Sequence, residues 1–246
     1  FYRRAQANPE KAKNNLRKRA QKALGKDYPV DTHFNPPYNP WDQRLCMVPD
    51  GDMFDAIRQG RASVVTGHID RFVSDGLVMQ DGTKVGADMI VTATGLTLNF
   101  GSNYPVSIDG DVKDPADGFT YRGVMVSGIP NMIAVFGYTN ASWTLRADLM
   151  SRYFIRLIKH MQARGLTRVE PVAPDGMARR PILDFQAGYL QRMIHKLPSQ
   201  GDRMPWLNIQ DYRHDRKILI DDPVADEALR FSRSEAASHA AKEVAE

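Results

Sequence analysis

The chain has 246 residues, 42% hydrophobic and 25% charged, an ordinary globular composition with length for one large core or two small ones. Low-complexity disorder and collagen-like repeats are thereby excluded. The net charge of +4 is unevenly placed: Phe1 to Lys26 holds nine Lys/Arg against Glu10 alone, a local +8 that leaves the rest of the chain mildly acidic.

No run approaches the roughly 20 apolar residues of a membrane-spanning helix, and the opening residues are charged, unlike a secretory signal. One cysteine, Cys46, forms neither an internal disulfide nor a thiolate metal site, which fits a reducing, cytoplasmic setting. The first residue is Phe1, not methionine, so an upstream start is expected.

Ala12, Leu16, Ala20, Ala23 and Leu24 recur at helical spacing in the basic opening segment, and Gly25 follows as a stop. Such a helix suits a nucleic-acid or anionic-membrane arm, but it lacks interleaved aromatics, and a solvated surface helix is the favoured reading. Pro29, Pro36, Pro37 and Pro40 then predict an extended loop. Gln43 to Val48 reads as a short strand and Gly51 to Gln59 as a short helix.

Strand-like runs follow at Ala62–Thr66, His68–Val73, Leu77–Gln80 and Asp88–Thr94, divided by Gly67, Asp75-Gly76 and Asp81-Gly82. The last is apolar on both faces and ends in small residues, the pattern of a buried parallel strand whose carboxyl end faces a ligand. Thr120–Val126 reads as another strand. Met132–Phe136 is a second buried strand leading through Gly137 into a long helix, with Trp143, Leu149, Met150, Tyr153, Leu157, Ile158 and Met161 on its apolar face and Gly165 closing it. Pro181–Leu197 suggests a further helix, Met204–Ile220 contains a short strand-like run, and the chain beyond Asp221 reads as a frayed helix or tail.

The six histidines, His33, His68, His160, His195, His214 and His239, never fall at metal-binding spacing, so no metal site is expected. No Gly-x-Ser-x-Gly elbow, phosphate loop or Gly-x-Gly-x-x-Gly fingerprint occurs. What remains is a pair of strands ending in small residues, Ala93-Thr94-Gly95 and Phe136-Gly137-Tyr138-Thr139-Asn140. Their chemistry suits a planar or phosphorylated ligand at a helix amino terminus; small residues that merely let the chain turn would look the same.

Three segments in order resemble the class B flavoprotein monooxygenases, which include Baeyer-Villiger and flavin-containing monooxygenases. They are Asp88-Met89-Ile90-Val91-Thr92-Ala93-Thr94-Gly95, then Tyr121-Arg122-Gly123 with Ile129-Pro130-Asn131-Met132, then Phe136 through Trp143. A further piece, Asn39-Pro40-Trp41-Asp42-Gln43-Arg44-Leu45-Cys46, matches the place of a basic pair whose second member is the active-site arginine. Arg44 takes that place, and Gln43 stands where the family usually has its first basic residue.

The resemblance implies an α/β fold, the carboxyl-terminal part of a flavoprotein with two Rossmann-like dinucleotide-binding domains. Residues 1–87 are then the end of the NADP domain, 88–170 the return strand and closing part of the FAD domain, and 171–246 a carboxyl-terminal extension. It implies FAD and NADPH as cofactors, and oxygenation of a ketone or a soft nitrogen or sulfur nucleophile through a C4a-peroxyflavin. Arg44 would stabilise the peroxide charge and orient the nicotinamide. Ala93, Thr94, Gly95, Gly137, Tyr138, Thr139, Asn140, Ala141 and Ser142 would contact the flavin. The expected partners are a small organic substrate, O2 and an amino-terminal half of the same polypeptide carrying the glycine fingerprints. A non-oxygenating FAD/NAD(P) oxidoreductase and an inactive remnant serving as a binding module remain open alternatives.

Overall fold

A computed structural model describes residues 1–43, 45–46, 48–95, 97, 105–184 and 187–233. The chain divides into two compact units, Phe1–Leu96 and Thr97–Glu246.

In the first unit, α1 (Tyr2–Ala7) leads directly into α2 (Pro9–Leu24). Asn8 caps α2 by accepting the Lys11 amide at 3.0 Å, and Pro9 fills the first turn, where its missing N–H costs nothing. Ala12, Ala20 and Leu24 are buried, as the apolar stripe predicts. Ala20 and Leu24 join Val30 of α3 (Val30–His33), packed by Tyr28 and Phe34 and by Phe54 and Ile57 of α4 (Asp52–Arg58). The basic side chains occupy the other face, where Arg17 pairs with Asp31. Expected helix and strands between 51 and 86 appear as α4 and an antiparallel meander, β1 (Ile69–Val73), β2 (Gly76–Met79) and β3 (Lys84–Gly86). Asp81 closes the second turn by accepting the Thr83 amide at 2.9 Å.

Several expected strands are absent. Ala62–Thr66 is irregular, and of the run expected over Gln43–Val48, Gln43 forms an isolated bridge with Pro40 while Arg44 and Met47 lie outside the described residues. Asp88–Thr94, expected as a buried parallel strand, joins no ladder, and Met89 and Val91 are each 81% exposed. A strand exists only through its neighbours, and no described residue offers its backbone to this segment. All described sheets are antiparallel, so the observed α/β character is helices mixed with small antiparallel sheets.

The second unit begins with the hairpin β4 (Val106–Ile108) and β5 (Asp111–Lys113). The strand expected over Thr120–Val126 is a tighter hairpin, β6 (Thr120–Tyr121) against β7 (Met125–Val126). Its turn places Arg122 and Gly123 at φ 49° and 62°. Met132–Phe136 is not a strand either: it touches the hairpin through one bond, Ala134 N–H to the Val124 carbonyl at 2.9 Å, and Val135 is 51% exposed.

The core is built on α5 (Trp143–Gln162). Leu149, Met150, Tyr153, Leu157 and Met161 bury one face against Tyr121, Val124 and Met125 of the hairpin and against residues near the carboxyl terminus, among them Trp206, Ile218, Leu219 and Leu229. After Gly165, β8 (Arg168–Pro171) pairs antiparallel with β9 (Leu229–Ser232), so the region expected to be a polar tail includes a core strand. Residues 234–246 lie outside the described set.

The helix expected over Pro181–Leu197 shrinks to α6 (Gly188–Gln191) and a 3-10 turn. The Pro181 and Ile182 carbonyls are taken by the side-chain amides of Gln200 and Asn208, at 2.8 and 3.1 Å, and Phe185 and Gln186 of the expected helix lie outside the described residues. The strand-like run near Ile220 is helical: Asp211 accepts the Arg213 and His214 amides, opening α7 (Tyr212–Arg216), which a π turn continues to Asp221.

Leu157→Ala lowers the unfolding free energy of the second unit by about 2–5 kcal/mol, whereas Ile155→Ala, at an exposed position of the same helix, changes it by less than about 0.5 kcal/mol; urea denaturation distinguishes them. Burial raises the phenol pKa of both Tyr121 and Tyr153 above the ordinary value. The folded chain therefore keeps protons that the unfolded chain releases above about pH 10, so this contribution to stability is complete below that pH and declines above it. The expected observation is a lower urea midpoint at about pH 11 than at about pH 9, with tyrosinate absorbance from these two rings appearing only with unfolding.

Candidate functional site

The turn joining Phe136 to α5 is assembled by packing and polar contacts together. Gly137 lies against the Trp143 ring so closely that a Cβ there would sit 2.3 Å from a ring carbon. Phe136 meets the same indole edge-on, with ring centroids 5.0 Å apart. Tyr138 turns inward and is 1% exposed. Burial pushes that phenol's pKa up, and the negative charge of Asp215 acts in the same direction.

The next two residues are anchored from outside the turn. The Thr139 amide donates to Gln210 Oε1 at 3.1 Å, and Asn140 Nδ2 donates to the Gln210 carbonyl at 3.0 Å. These two groups are thus committed to the protein. Ser142 occupies the N-cap position but makes no capping bond; its hydroxyl lies 2.9 Å from the Thr144 hydroxyl. Among the described residues the Trp143 and Thr144 amides have no acceptor. They open at the positive end of a 20-residue helix with no acidic residue in its first turn. The arrangement favours an electron-rich oxygen ligand beside the half-exposed Trp143 ring.

Behind the turn lies a charged side chain that the sequence reading passed over. Arg146 is 1% exposed and engages all three guanidinium nitrogens: Nη1 donates to the Phe136 carbonyl at 3.1 Å, Nη2 to Asn208 Oδ1 at 2.8 Å, and Nε to Asp215 Oδ2 at 3.1 Å. Its carbon Cζ sits 5.7 Å from the centroid of the Tyr138 ring. The signal was available, because Arg146 falls in the apolar register of α5 between Trp143 and Met150, where a charge is buried only if it is paired. Gly123 makes the necessary space, since a Cβ at its positive φ would lie 2.3 Å from Arg146 Nη2.

The other expected site residues are elsewhere. Ala93, Thr94 and Gly95 belong to the first unit, where they are exposed and irregular. Arg44 lies outside the described residues. Among the described residues no group of three His, Cys, Asp or Glu side chains is placed to hold a metal ion, and no helix is long and apolar enough to cross a membrane.

No family model matches the chain. It is 41% identical over 237 residues to the FAD-containing monooxygenase EthA of Mycolicibacterium smegmatis, covering 96% of this chain and 48% of that protein. It is 44% identical over 214 residues to EthA of Mycobacterium tuberculosis, covering 87% of this chain and 44% of the relative. An Acinetobacter protein named "Probable FAD-binding monooxygenase AlmA" is 41% identical over 203 residues, covering 82% and 41%. The chain thus spans about half the length of the curated relatives it matches. Identity at this level over most of the chain is common ancestry: over the stretch it spans, the chain is a homologue of FAD-containing monooxygenases, in keeping with its resemblance to the class B flavoprotein monooxygenases.

Proposed function

We propose that this chain is the carboxyl-terminal portion of an NADPH-dependent flavin monooxygenase that transfers one oxygen atom from O2 to a ketone or to a soft nitrogen or sulfur nucleophile. The observation that carries the reading is the 41–44% identity to proteins named FAD-containing monooxygenases. The turn before α5 supports it. Two uncovered amides at a helix amino terminus, free of nearby first-turn carboxylates, fit the carbonyl edge of a flavin ring. The bound flavin would supply the redox and oxygen chemistry.

In this reading the Trp143 and Thr144 amides hold the ring edge, and Gly137, Tyr138, Ala141 and Ser142 shape the surface it meets. Thr139 and Asn140 serve the same turn through their bonds to Gln210. Ala93, Thr94 and Gly95, lacking bulk, let the backbone approach the cofactor. Arg44 stabilises negative charge developing on oxygen and orients the nicotinamide carboxamide, a task suited to a fixed guanidinium. The proposed organisation assigns residues 1–87 to the end of the NADP domain, 88–170 to the FAD domain and 171–246 to an extension, within a two-domain Rossmann-type flavoprotein.

Two outcomes are expected. In the intact flavoprotein, Arg44→Ala lowers oxygenated product by about 10²–10³-fold while flavin reduction by NADPH persists; product analysis with a cyclic ketone and a thioether, alongside anaerobic stopped-flow reduction, measures both. Normal product formation would remove Arg44 from its role, and failure to oxygenate either substrate would count against the monooxygenase reading. The 246-residue chain expressed alone forms no stoichiometric yellow complex with FAD, because its sequence contains no Gly-x-Gly-x-x-Gly cradle for a pyrophosphate; gel filtration with visible absorbance detects the opposite result.

A further inference from the structure

The Arg146 network lies behind the turn rather than in it, and its connections run continuously into the carboxyl-terminal segment. Asn208, which accepts from Arg146, also donates to the Ile182 carbonyl, and its own amide donates to Gln200 Oε1 at 2.8 Å. Gln210 Nε2 reaches Asn208 Oδ1 at 3.3 Å, while its Oε1 and carbonyl hold Thr139 and Asn140. Gln210 does this from a left-handed backbone, φ 56°, a conformation that a residue other than glycine keeps only when its surroundings impose it.

An ion pair this deeply buried is a poor device for stability alone, since well-packed apolar residues of equal volume often do as well or better. What apolar residues cannot supply is direction. The planar guanidinium fixes three acceptors at once, one of them the Phe136 carbonyl immediately before Gly137. Gln210 fixes the following amide and side chain. The turn is thereby held from one side at Phe136, Thr139 and Asn140, and the direction of the uncovered Trp143 and Thr144 amides follows from that hold.

We propose that Arg146 and Gln210 are positioning residues for the flavin, acting through the Phe136–Asn140 backbone without touching the cofactor, and that the segment 200–215 serves as the template against which this turn is set. The inference rests on the reading that the turn faces the flavin.

The test uses the full-length holoenzyme. Arg146→Lys keeps the charge but loses the three-way fork, the paired Arg146→Met/Asp215→Leu removes both charges and leaves neither unpaired, and Gln210→Asn tolerates positive φ but shortens the amide. The readouts are the FAD dissociation constant, the visible absorption bands and midpoint potential of the bound flavin, and thermal unfolding. Arg146→Lys and the paired variant are each expected to weaken FAD binding about tenfold or more, and Gln210→Asn about two- to tenfold, with shifted bands and potential in molecules that remain folded. Gly137→Ala, which drives a Cβ into the Trp143 ring, is the control for the turn itself.

If Gly137→Ala perturbs the flavin while Arg146→Lys and Gln210→Asn leave spectrum, potential and affinity at wild-type values, the positioning role is overturned and the flavin reading stands. If Gly137→Ala also leaves the flavin unchanged, the turn does not face it, and both fall. Should the Arg146 variants not fold, Gln210→Asn, at a partly exposed position, decides the matter by the same readouts.

Discussion

Helix α5 carries an arginine in its buried stripe, and the need to satisfy that charge organises much of the second unit. Removing a guanidinium from water costs several kcal/mol unless its donors find acceptors. Arg146 finds them at Phe136, 10 residues before it, and at Asn208 and Asp215, 62 and 69 residues after it. Each contact imposes a demand elsewhere. Gly123 must lack a side chain, Asn208 must present its oxygen inward, and Asp215 must stand on a helix opened by the Asp211 cap. A second buried arginine follows the same logic. Arg122 donates to the Ile218 and Pro223 carbonyls and pairs with Asp226 at 2.8 Å, tying the β6–β7 hairpin to the segment after α7. The two arginines give irregular stretches of chain fixed places that regular hydrogen-bond ladders would otherwise supply.

The same economy bears on the proposed flavin-facing turn. A loop between a sheet and a helix is ordinarily the softest part of an α/β unit. Here a carbonyl, an amide and an amide side chain are held at Phe136, Thr139 and Asn140, while the Trp143 and Thr144 amides at the start of α5 have no acceptor among the described residues. Rigid backing combined with uncovered donors is what preorganised recognition of an oxygen-bearing ligand requires. It also divides the labour among residues adjacent in sequence: some anchor the turn to the protein, and others remain available to a cofactor.

The segments 88–95 and 132–136 show the converse situation. Both have the composition of buried strands, and both stand outside any ladder, with Met89, Val91 and Val135 more than half exposed. Their composition records a requirement for neighbouring strands and covering layers that no described residue meets. The relatives to which this chain aligns over most of its length are about twice as long.

What the sequence by itself determined is whatever depends on short-range periodicity and turn chemistry. The α2 and α5 helices with their glycine stops, the β1–β3 meander with its Asp-Gly turns and the ordered motifs of the resemblance are all written in residues close together along the chain. The tertiary structure alone decided the pairing of β8 with β9, the loss of most of the helix expected over 181–197 and the burial of Arg146 and Asp215. In each of these the deciding partner lies tens of residues away: Arg230 opposite Glu170, Gln200 taking the Pro181 carbonyl, Asp215 meeting Arg146. Local pattern reports which groups must be satisfied, and only the folded chain, by bringing distant donors and acceptors within 3 Å or so, selects which ones satisfy them.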